Sequence, residues 1–320
     1  MGEYLAVDVG GTKIAIGLGT DTGQLLETAI LKTPAEKAPQ DVLDQIADQA
    51  LAMVHRHGVA LEAVGVGSPG PLDGPVLLKT SNLSHWEGLN WETGLNTRLH
   101  VPVYVENDAT AAAVGEWMFG AGKGTRDLVY VTISTGIGAG FVVNGRVMSG
   151  FRGNAGEFGH LVLDPAGPWC PAGHYGCVES YASGSALTRE GRRHQKESPY
   201  LDGKESVDAK TVLQGWMRDD PVCGQIVDAA TERLGRGLSY LIDLMNPERI
   251  IVGGGVGVNA PERYLTMIES YARQYALPAM MAVVQFRRAQ LGEQSGVMGA
   301  LAVAINRQHN PNSLGHAKES

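Results

Sequence analysis

Apolar residues near the start of the chain come in short runs broken by turn residues. Tyr4 to Val9 has the pattern of a buried strand, Ile14 to Leu18 of a second and Gly23 to Thr33 of a third, separated by Gly-Gly-Thr-Lys and Thr-Asp-Thr-Gly. That spacing predicts an antiparallel meander. The period then changes: Val42, Ile46, Ala50 and Met53 recur at helical spacing between Gln40 and His57, and Ala63 to Gly67 returns to a short buried strand. Residues 71 to 100 are turn-rich with two tryptophans. Val101 to Val105 reads as another strand and Ala109 to Trp117 as an alanine-rich helix.

The opening pattern returns at Leu128. From there to Met148 the chain again gives strand, glycine-rich turn, strand, Asn-Gly turn and strand. A loop region rich in Gly, Pro and Cys spans 150 to 185. Helices are predicted around 185 to 197, 208 to 218 and 221 to 245, followed by a strand from Arg249 to Val252 that runs into three glycines. Glu262 to Tyr275 reads as a helix, Val283 to Arg288 as a strand and Gly296 to Asn306 as a last helix. Residues 308–320 are polar and aperiodic and are expected to fray. Two copies of a β-β-β-α-β order predict an α/β protein of two lobes.

Composition narrows the function classes. Lys plus Arg number 26 against 34 Asp plus Glu, a net charge of -8, and no basic stretch suits a phosphate backbone, so no nucleic-acid partner is expected. The longest apolar runs, such as Gly136 to Val143, are broken by glycines and fall short of the roughly 20 residues of a membrane span. No membrane association is expected. Met1 to Tyr4 leads directly into an apolar strand with no positively charged segment or small-residue cleavage site, so the expected location is cytoplasmic. Three cysteines, an odd number, suit a reducing compartment better than a disulfide framework. The 43 glycines in 320 residues exceed the usual ~7% and direct attention to glycine-rich, ligand-binding turns.

Asp8-Val-Gly10-Gly11-Thr12-Lys13 is one such turn. Backbone N–H groups of a glycine turn converge on phosphate without side-chain bulk, Thr12 and Lys13 reach phosphate oxygens, and Asp8 is placed to orient a hydrated Mg²⁺. Taken alone, the same residues make a plain hairpin turn. Ser134-Thr135-Gly136-Ile137-Gly138 repeats the feature at the equivalent place in the second copy, which favours phosphate. Gly253, Gly254 and Gly255 follow a buried strand and would let an adenine lie against backbone, or simply turn strand into helix. Two other glycine groups fail their motifs. Gly17, Gly19 and Gly23 lack the dinucleotide spacing, and Gly120 to Thr125 has Trp117 where a P-loop needs its first glycine. Glu106-Asn107-Asp108 ends a strand and opens a helix. Asp108 there is either a helix cap or an ionised carboxylate able to accept a proton from a hydroxyl.

Together Asp8-Val-Gly-Gly-Thr-Lys, Gly67-Ser-Pro-Gly-Pro, Glu106-Asn-Asp-Ala-Thr-Ala-Ala, Ser134-Thr-Gly-Ile-Gly-Ala-Gly, Ala155-Gly-Glu-Phe-Gly-His and Gly176-Cys-Val-Glu resemble the ROK family of sugar kinases and sugar-responsive repressors. Order and spacing match over about residues 4 to 305, and the motifs are most similar to those of the family's bacterial ATP-dependent glucokinases. The resemblance implies an actin-like, ribonuclease-H-like fold of two lobes. It suggests a small lobe of 1–108 completed by a helix at 296–307 and a large lobe of 109–295. It implies ATP-dependent phosphorylation of glucose at O6, with Mg²⁺ accompanying the ATP and Asp108 as general base. N-acetylmannosamine, N-acetylglucosamine, fructose or allose is the alternative acceptor, polyphosphate the alternative donor and a non-catalytic sugar sensor the distant alternative. A repressor would need a DNA-binding helix-turn-helix ahead of Tyr4. Gly67, Asn82, Asn107, Asp108, Glu157, His160 and Glu179 are implied to hold the sugar, with Glu179 and His160 affecting the sugar rather than the nucleotide. Asp8, Gly10, Gly11, Thr12, Lys13, Ser134, Thr135, Gly136, Gly138 and Gly253 to Gly255 are implied to hold Mg-ATP. A homodimer or homotetramer is the implied assembly.

One departure from the family concerns a metal. ROK proteins commonly hold a structural Zn²⁺ through a His and then C-x-C-G-x-x-G-C, whereas here His160 is followed by Cys170-Pro-Ala-Gly-His-Tyr-Gly-Cys177, with Ala172 at the middle cysteine. Structural zinc is nearly always four-coordinate. With three of the family's ligands left, either the site is lost or another group completes the tetrahedron; the expectation is zinc at His160, Cys170 and Cys177, with His174 as the replacement fourth ligand.

Overall fold

In the computed structural model, which describes residues 2–80 and 83–310, strand β1 (Glu3–Val9) sends alternate side chains to two different layers. Leu5, Val7 and Val9 pack into one apolar cluster, and Tyr4 and Ala6 into another. Asp8 shares the second face. β2 (Lys13–Thr20) and β3 (Leu25–Lys32) complete the predicted meander, with Asp8 opposite Ala15 and Ala15 opposite Ile30. Then follow α1 (Pro39–His57), β4 (Leu61–Ser68), the two-residue strands β5 (Leu72–Asp73) and β6 (Val76–Leu77), α2 (Trp91–Leu99), β7 (Val103–Asn107) and α3 (Asp108–Phe119). The sheet order is β3-β2-β1-β4-β7, with β1, β4 and β7 parallel.

The helix α2 lies where turns were expected. Asn90 caps it by accepting from Thr93 N at 3.0 Å, and Trp91, Leu95 and Leu99 are buried at four-residue spacing. Gly94 hides the periodicity in the sequence, and it is glycine because a Cβ there would lie 2.5 Å from Leu43 of α1.

The second copy begins with β8 (Leu128–Ile133), β9 (Ile137–Val143) and the short β10 (Arg146–Val147). The loop region contains a hairpin of β11 (Trp169–Cys170) and β12 (His174–Tyr175), then α4 (Val178–Ala182). Helices α5 (Gly184–Arg193), α6 (Ala209–Met217) and α7 (Pro221–Met245) follow, then β13 (Arg249–Gly253), α8 (Gly254–Asn259), α9 (Glu262–Tyr275), α10 (Pro278–Met281), β14 (Gln285–Arg288) and α11 (Ser295–His309). This sheet has the order β10-β9-β8-β13-β14, with β8, β13 and β14 parallel. Both sheets therefore share one topology. Among the described residues no helix is long and apolar enough to cross a membrane.

The chain divides into two compact units, one of residues 1–126, 140–156 and 290–320, the other of 127–139 and 157–289. The expected boundary after Asp108 differs from this division because α3 packs on α11. Gly115 and Gly299 meet so closely that a Cβ on Gly115 would lie 3.0 Å from the Gly299 backbone. In the first unit α1 and α2 cover one sheet face, and α11 lies on the other, where Ala6, Ala63 and Gly65 leave room for its backbone. In the second, α7 and α9 pack together, with Gly235 admitting the backbone at Ile268 and Ala272. The expected fray differs at its start, since α11 continues through Gln308, which accepts from the Tyr104 hydroxyl at 2.9 Å. Residues 311–320 of that tail, and the sugar-site candidate Asn82, lie outside the described residues.

Candidate active site

In the first unit the parallel strands β1, β4 and β7 end side by side. Register pairs Asp8 with Gly67, Gly67 with Glu106 and Ser68 with Asn107, so three sequence motifs meet along one sheet edge. Ligands of α/β sheets bind beyond such carboxyl ends. Asn107 is the cap of α3: its Oδ1 accepts from Ala109 N at 3.0 Å and Thr110 N at 3.4 Å. That leaves its Nδ2 group as the part suited to a hydroxyl. Asp108 is the first residue of α3, exposed, with Oδ1 accepting from Ala109 N at 2.7 Å. The positive end of the helix stabilises its negative charge.

Asp8 reaches the start of α11. A Cβ on Gly296 would collide with its carboxylate, so glycine is required there. Burial raises the Asp8 pKa above the usual carboxylate value, opposed by the Lys13 ammonium. The turn beyond Asp8 is closed by Gly10 N donating to Lys13 O at 2.9 Å. Thr33 holds it from outside, its hydroxyl donating to Gly10 O at 2.6 Å and its N–H to Thr12 O at 3.0 Å. Gly11, Thr12 and Lys13 are exposed.

In the second unit the turn after β8 is held differently. Ser134 N donates to Gly136 O at 2.9 Å, while Gly184 N and Ser185 N at the start of α5 donate to Ser134 O and Thr135 O at 2.7 and 3.2 Å. Glu179 Oε2 accepts from Ile137 N at 2.7 Å. Gly253 and Gly254 are packing glycines. A Cβ on the first would strike the Tyr130 ring and hydroxyl, and one on the second would lie 2.5 Å from Ile133 O at a φ of 77°. Gly255 has open space, its nearest neighbour being Ser134 Oγ at 4.0 Å. Of the three, Gly255 offers the surface for a nucleotide.

His160, Cys170, His174 and Cys177 converge, with one donor atom from each lying within 4.8 Å of the others. The β11–β12 hairpin sets Cys170 opposite His174, and Cys177 caps α4. Zinc bonds of about 2.0–2.3 Å place donors about 3.5 Å apart in a tetrahedron, and His160 Nδ1 is 3.7 Å from Cys170 Sγ. His174 Nε2 is buried with no hydrogen-bond partner among the described residues, as a metal-ligating nitrogen would be before loading. Burial, with Cys177 adjacent, pushes the Cys170 thiol up to about 11, a cost that a divalent cation would reverse. These residues fit zinc. The opposite nitrogen of His160, Nε2, lies 3.8 Å from the exposed Glu157 carboxylate, so one ring can bind metal on one side and orient a polar partner on the other.

The family pattern of ROK proteins matches residues 4–307. The chain belongs to the ROK family. A glucokinase of Thermotoga maritima is 32% identical over 95% of this chain and 98% of its own. Among solved structures, the ROK hexokinase of Thermus thermophilus is 35% identical, with a TM-score of 0.84 over 96% of this chain and 99% of its own. The ROK glucokinase of Streptomyces griseus, in complex with glucose and AMPPNP, is 34% identical, with a TM-score of 0.78 over 95% and 99%. These likenesses establish the two-lobed, actin-like fold of the ROK sugar kinases.

Several residues that shape this ROK site do so through contacts that no sequence motif shows. Glu106, only 3% exposed, is held by Arg307 and by the Ser149 hydroxyl at 3.0 Å, immediately before Asn107. Glu116, fully buried, accepts from Ala121 N, Gln290 N and Leu291 N at 2.7 to 2.9 Å and joins the end of α3 to the segment entering α11. Their partners lie up to 201 residues away, beyond any motif spacing.

Proposed function

We propose that this ROK protein transfers the γ-phosphoryl group of ATP to O6 of glucose. The observation that carries the reading is Asn107-Asp108 at the junction of β7 and α3, in a chain whose full-length relatives include glucokinases. Asp108 takes the proton of the attacking hydroxyl. Asn107, through its amide donors, holds a sugar hydroxyl, as do Glu157, His160 and Glu179, with Gly67 and Asn82 completing the set. Vicinal hydroxyls suit such a mixture of carboxylate, imidazole and amide, which rejects analogues lacking one of them.

Phosphoryl transfer asks little covalent work of a protein; it asks for position and charge stabilisation. The turns Gly10 to Lys13 and Ser134 to Gly138 hold the phosphates through the Thr12 and Lys13 side chains and through amides not engaged among the described residues, those of Thr135 and Gly136 among them, whereas the amides of Gly10, Ser134 and Ile137 secure the turns themselves. Asp8 holds the hydrated Mg²⁺ that accompanies ATP, and adenosine lies at Gly255 beside the packing glycines Gly253 and Gly254. Zinc, bound by His160, Cys170, His174 and Cys177, stiffens the segment that carries His160. A coupled assay over a panel of hexoses and N-acetylhexosamines, with ATP and polyphosphate as donors, tests the reading. Glucose with ATP is expected to give the highest kcat/KM. Faster turnover of N-acetylmannosamine would replace the substrate, and no phosphorylation of any sugar would overturn the enzyme.

A further inference from the structure

Ile137 sits where the phosphate turn meets the segments assigned to the sugar. Its N–H donates to Glu179 Oε2 at 2.7 Å. Its carbonyl faces Gly159 so closely that a Cβ on Gly159 would collide with it, and Gly159 lies between Phe158 and His160 in the same short turn. The residue before Ile137 is equally constrained. Gly136 does not have a positive φ, so alanine is allowed by the backbone, yet a Cβ there would lie 2.5 Å from Glu179 Oε2. The turn and the carboxylate have been shaped to each other. With Oε2 engaged by Ile137, Oε1 is the oxygen left to meet a hydroxyl.

We propose that Glu179 is a positioning residue for phosphate binding as well as a sugar ligand, one carboxylate joining the sugar to the turn of Ser134 to Gly138. The inference rests on the sugar-kinase reading, which gives Glu179 its hydroxyl. Sugar bound at Oε1 fixes the carboxylate, Oε2 fixes the Ile137 N–H, and the neighbouring amides of Thr135 and Gly136 are held in the orientation that receives phosphate. Linkage makes this reciprocal: sugar tightens nucleotide, and nucleotide tightens sugar by the same factor. Replacement of Glu179 therefore reaches the nucleotide, beyond the sugar-only effect expected from its motif.

Calorimetric titration of Mg-AMPPNP, with and without saturating glucose, tests the link. Wild type should bind AMPPNP about 5-fold or more tightly with glucose, in the usual range of coupling between sites. Amide exchange in the peptide covering 134–138 should slow at the same time. In Glu179→Ala, with glucose raised until it saturates, both responses should vanish. Glu179→Gln, whose amide oxygen still accepts from Ile137 N, should retain part of both while losing affinity for glucose. Undiminished coupling in Glu179→Ala, or a wild-type turn indifferent to bound glucose, overturns the proposal. A sugar-free arm separates it from the substrate assignment. Gly136→Ala should weaken AMPPNP about 10-fold, and adding Glu179→Ala should restore most of that loss because the methyl no longer meets a carboxylate. If wild type binds no glucose but this cycle shows the interaction, the substrate is wrong and the link stands. If the two substitutions act independently, the link is wrong.

Discussion

The two five-stranded sheets have the same topology and the same glycine turn after their first strand, yet the turns are secured by different means. The first is closed by its own Gly10 to Lys13 bond and steadied from outside by Thr33, a neutral residue just beyond β3. The second spends its carbonyls on the start of α5 and one amide on Glu179, a carboxylate from α4. Duplicated backbone therefore does not mean duplicated chemistry. The first copy places carboxylates, Asp8 and Asp108, at the ends of its parallel strands. In the second copy the ionisable groups arrive on the inserted segment between β10 and α5, where the hairpin and the His/Cys cluster also lie.

Replacing the proposed base should separate the copies most sharply. Asp108→Asn keeps the shape at the start of α3 and removes proton acceptance, so kcat should fall about 10²-fold or more while the KM for glucose and the affinity for AMPPNP change little. Near-normal turnover would reduce Asp108 to a helix-start carboxylate.

Removing the proposed zinc should be the next largest effect, and confined to the second copy. Chelation at neutral pH is expected to lower the Tm and raise the KM for glucose about 10-fold, because a ligand set and the orientation of His160 are lost together. Elemental analysis of protein purified without chelator should give one zinc per chain, and His174→Ala well below one. Full occupancy in that variant would clear His174 of the ligand role.

The contrast between the copies also explains what could be read from the sequence. Strands β1 to β4, α1, α3, α7, α9 and the repeated meander were legible because their hydrophobic periods are clean and glycine or Asn-Gly turns separate them. The family motifs named Asp8, Asn107, Asp108, Glu157, His160 and Glu179, and the four metal candidates do come together in space. What escaped was contact between distant segments. Thr33, Ser149, Gly296 and Arg307 are ordinary residues in sequence, and each matters only because another segment stops against it. Cap assignment escaped as well. Asn107 and Asp108 are both good capping residues, and only backbone geometry shows that Asn107 is the cap, leaving Asp108 one position inside the helix.

A smaller effect concerns charge at Asp8. Its folded pKa is raised by burial above the usual 3.8, so the folded state binds a proton more readily than the unfolded chain between 3.8 and that raised value. Over that window stability falls as pH rises, and at neutral pH the ionised carboxylate is a standing cost. Asp8→Asn should therefore flatten this segment of the urea-derived stability profile and leave the protein at least as stable at pH 7, while activity with Mg-ATP drops. Loss of stability at pH 7 with the acid slope unchanged would show that Asp8 serves the fold rather than a ligand.

The smallest expected effect isolates the support of the first turn. Thr33→Val preserves volume and removes the 2.6 Å bond from the hydroxyl to Gly10 O, while the bond from Thr33 N to Thr12 O is untouched. A single neutral hydrogen bond is worth about 1 kcal/mol, so stability should fall by that amount. If the turn receives phosphate, its looser anchorage should raise the KM for ATP by less than about 5-fold, the ratio equivalent to 1 kcal/mol, and leave the KM for glucose alone. The two copies then predict different selectivity. Loosening the first turn is felt by the nucleotide only, whereas altering Glu179 at the second is felt by both substrates. Equal responses of both KM values to Thr33→Val would mean that the first turn, too, reports on the sugar, and the asymmetry between the copies would lie only in how they are built.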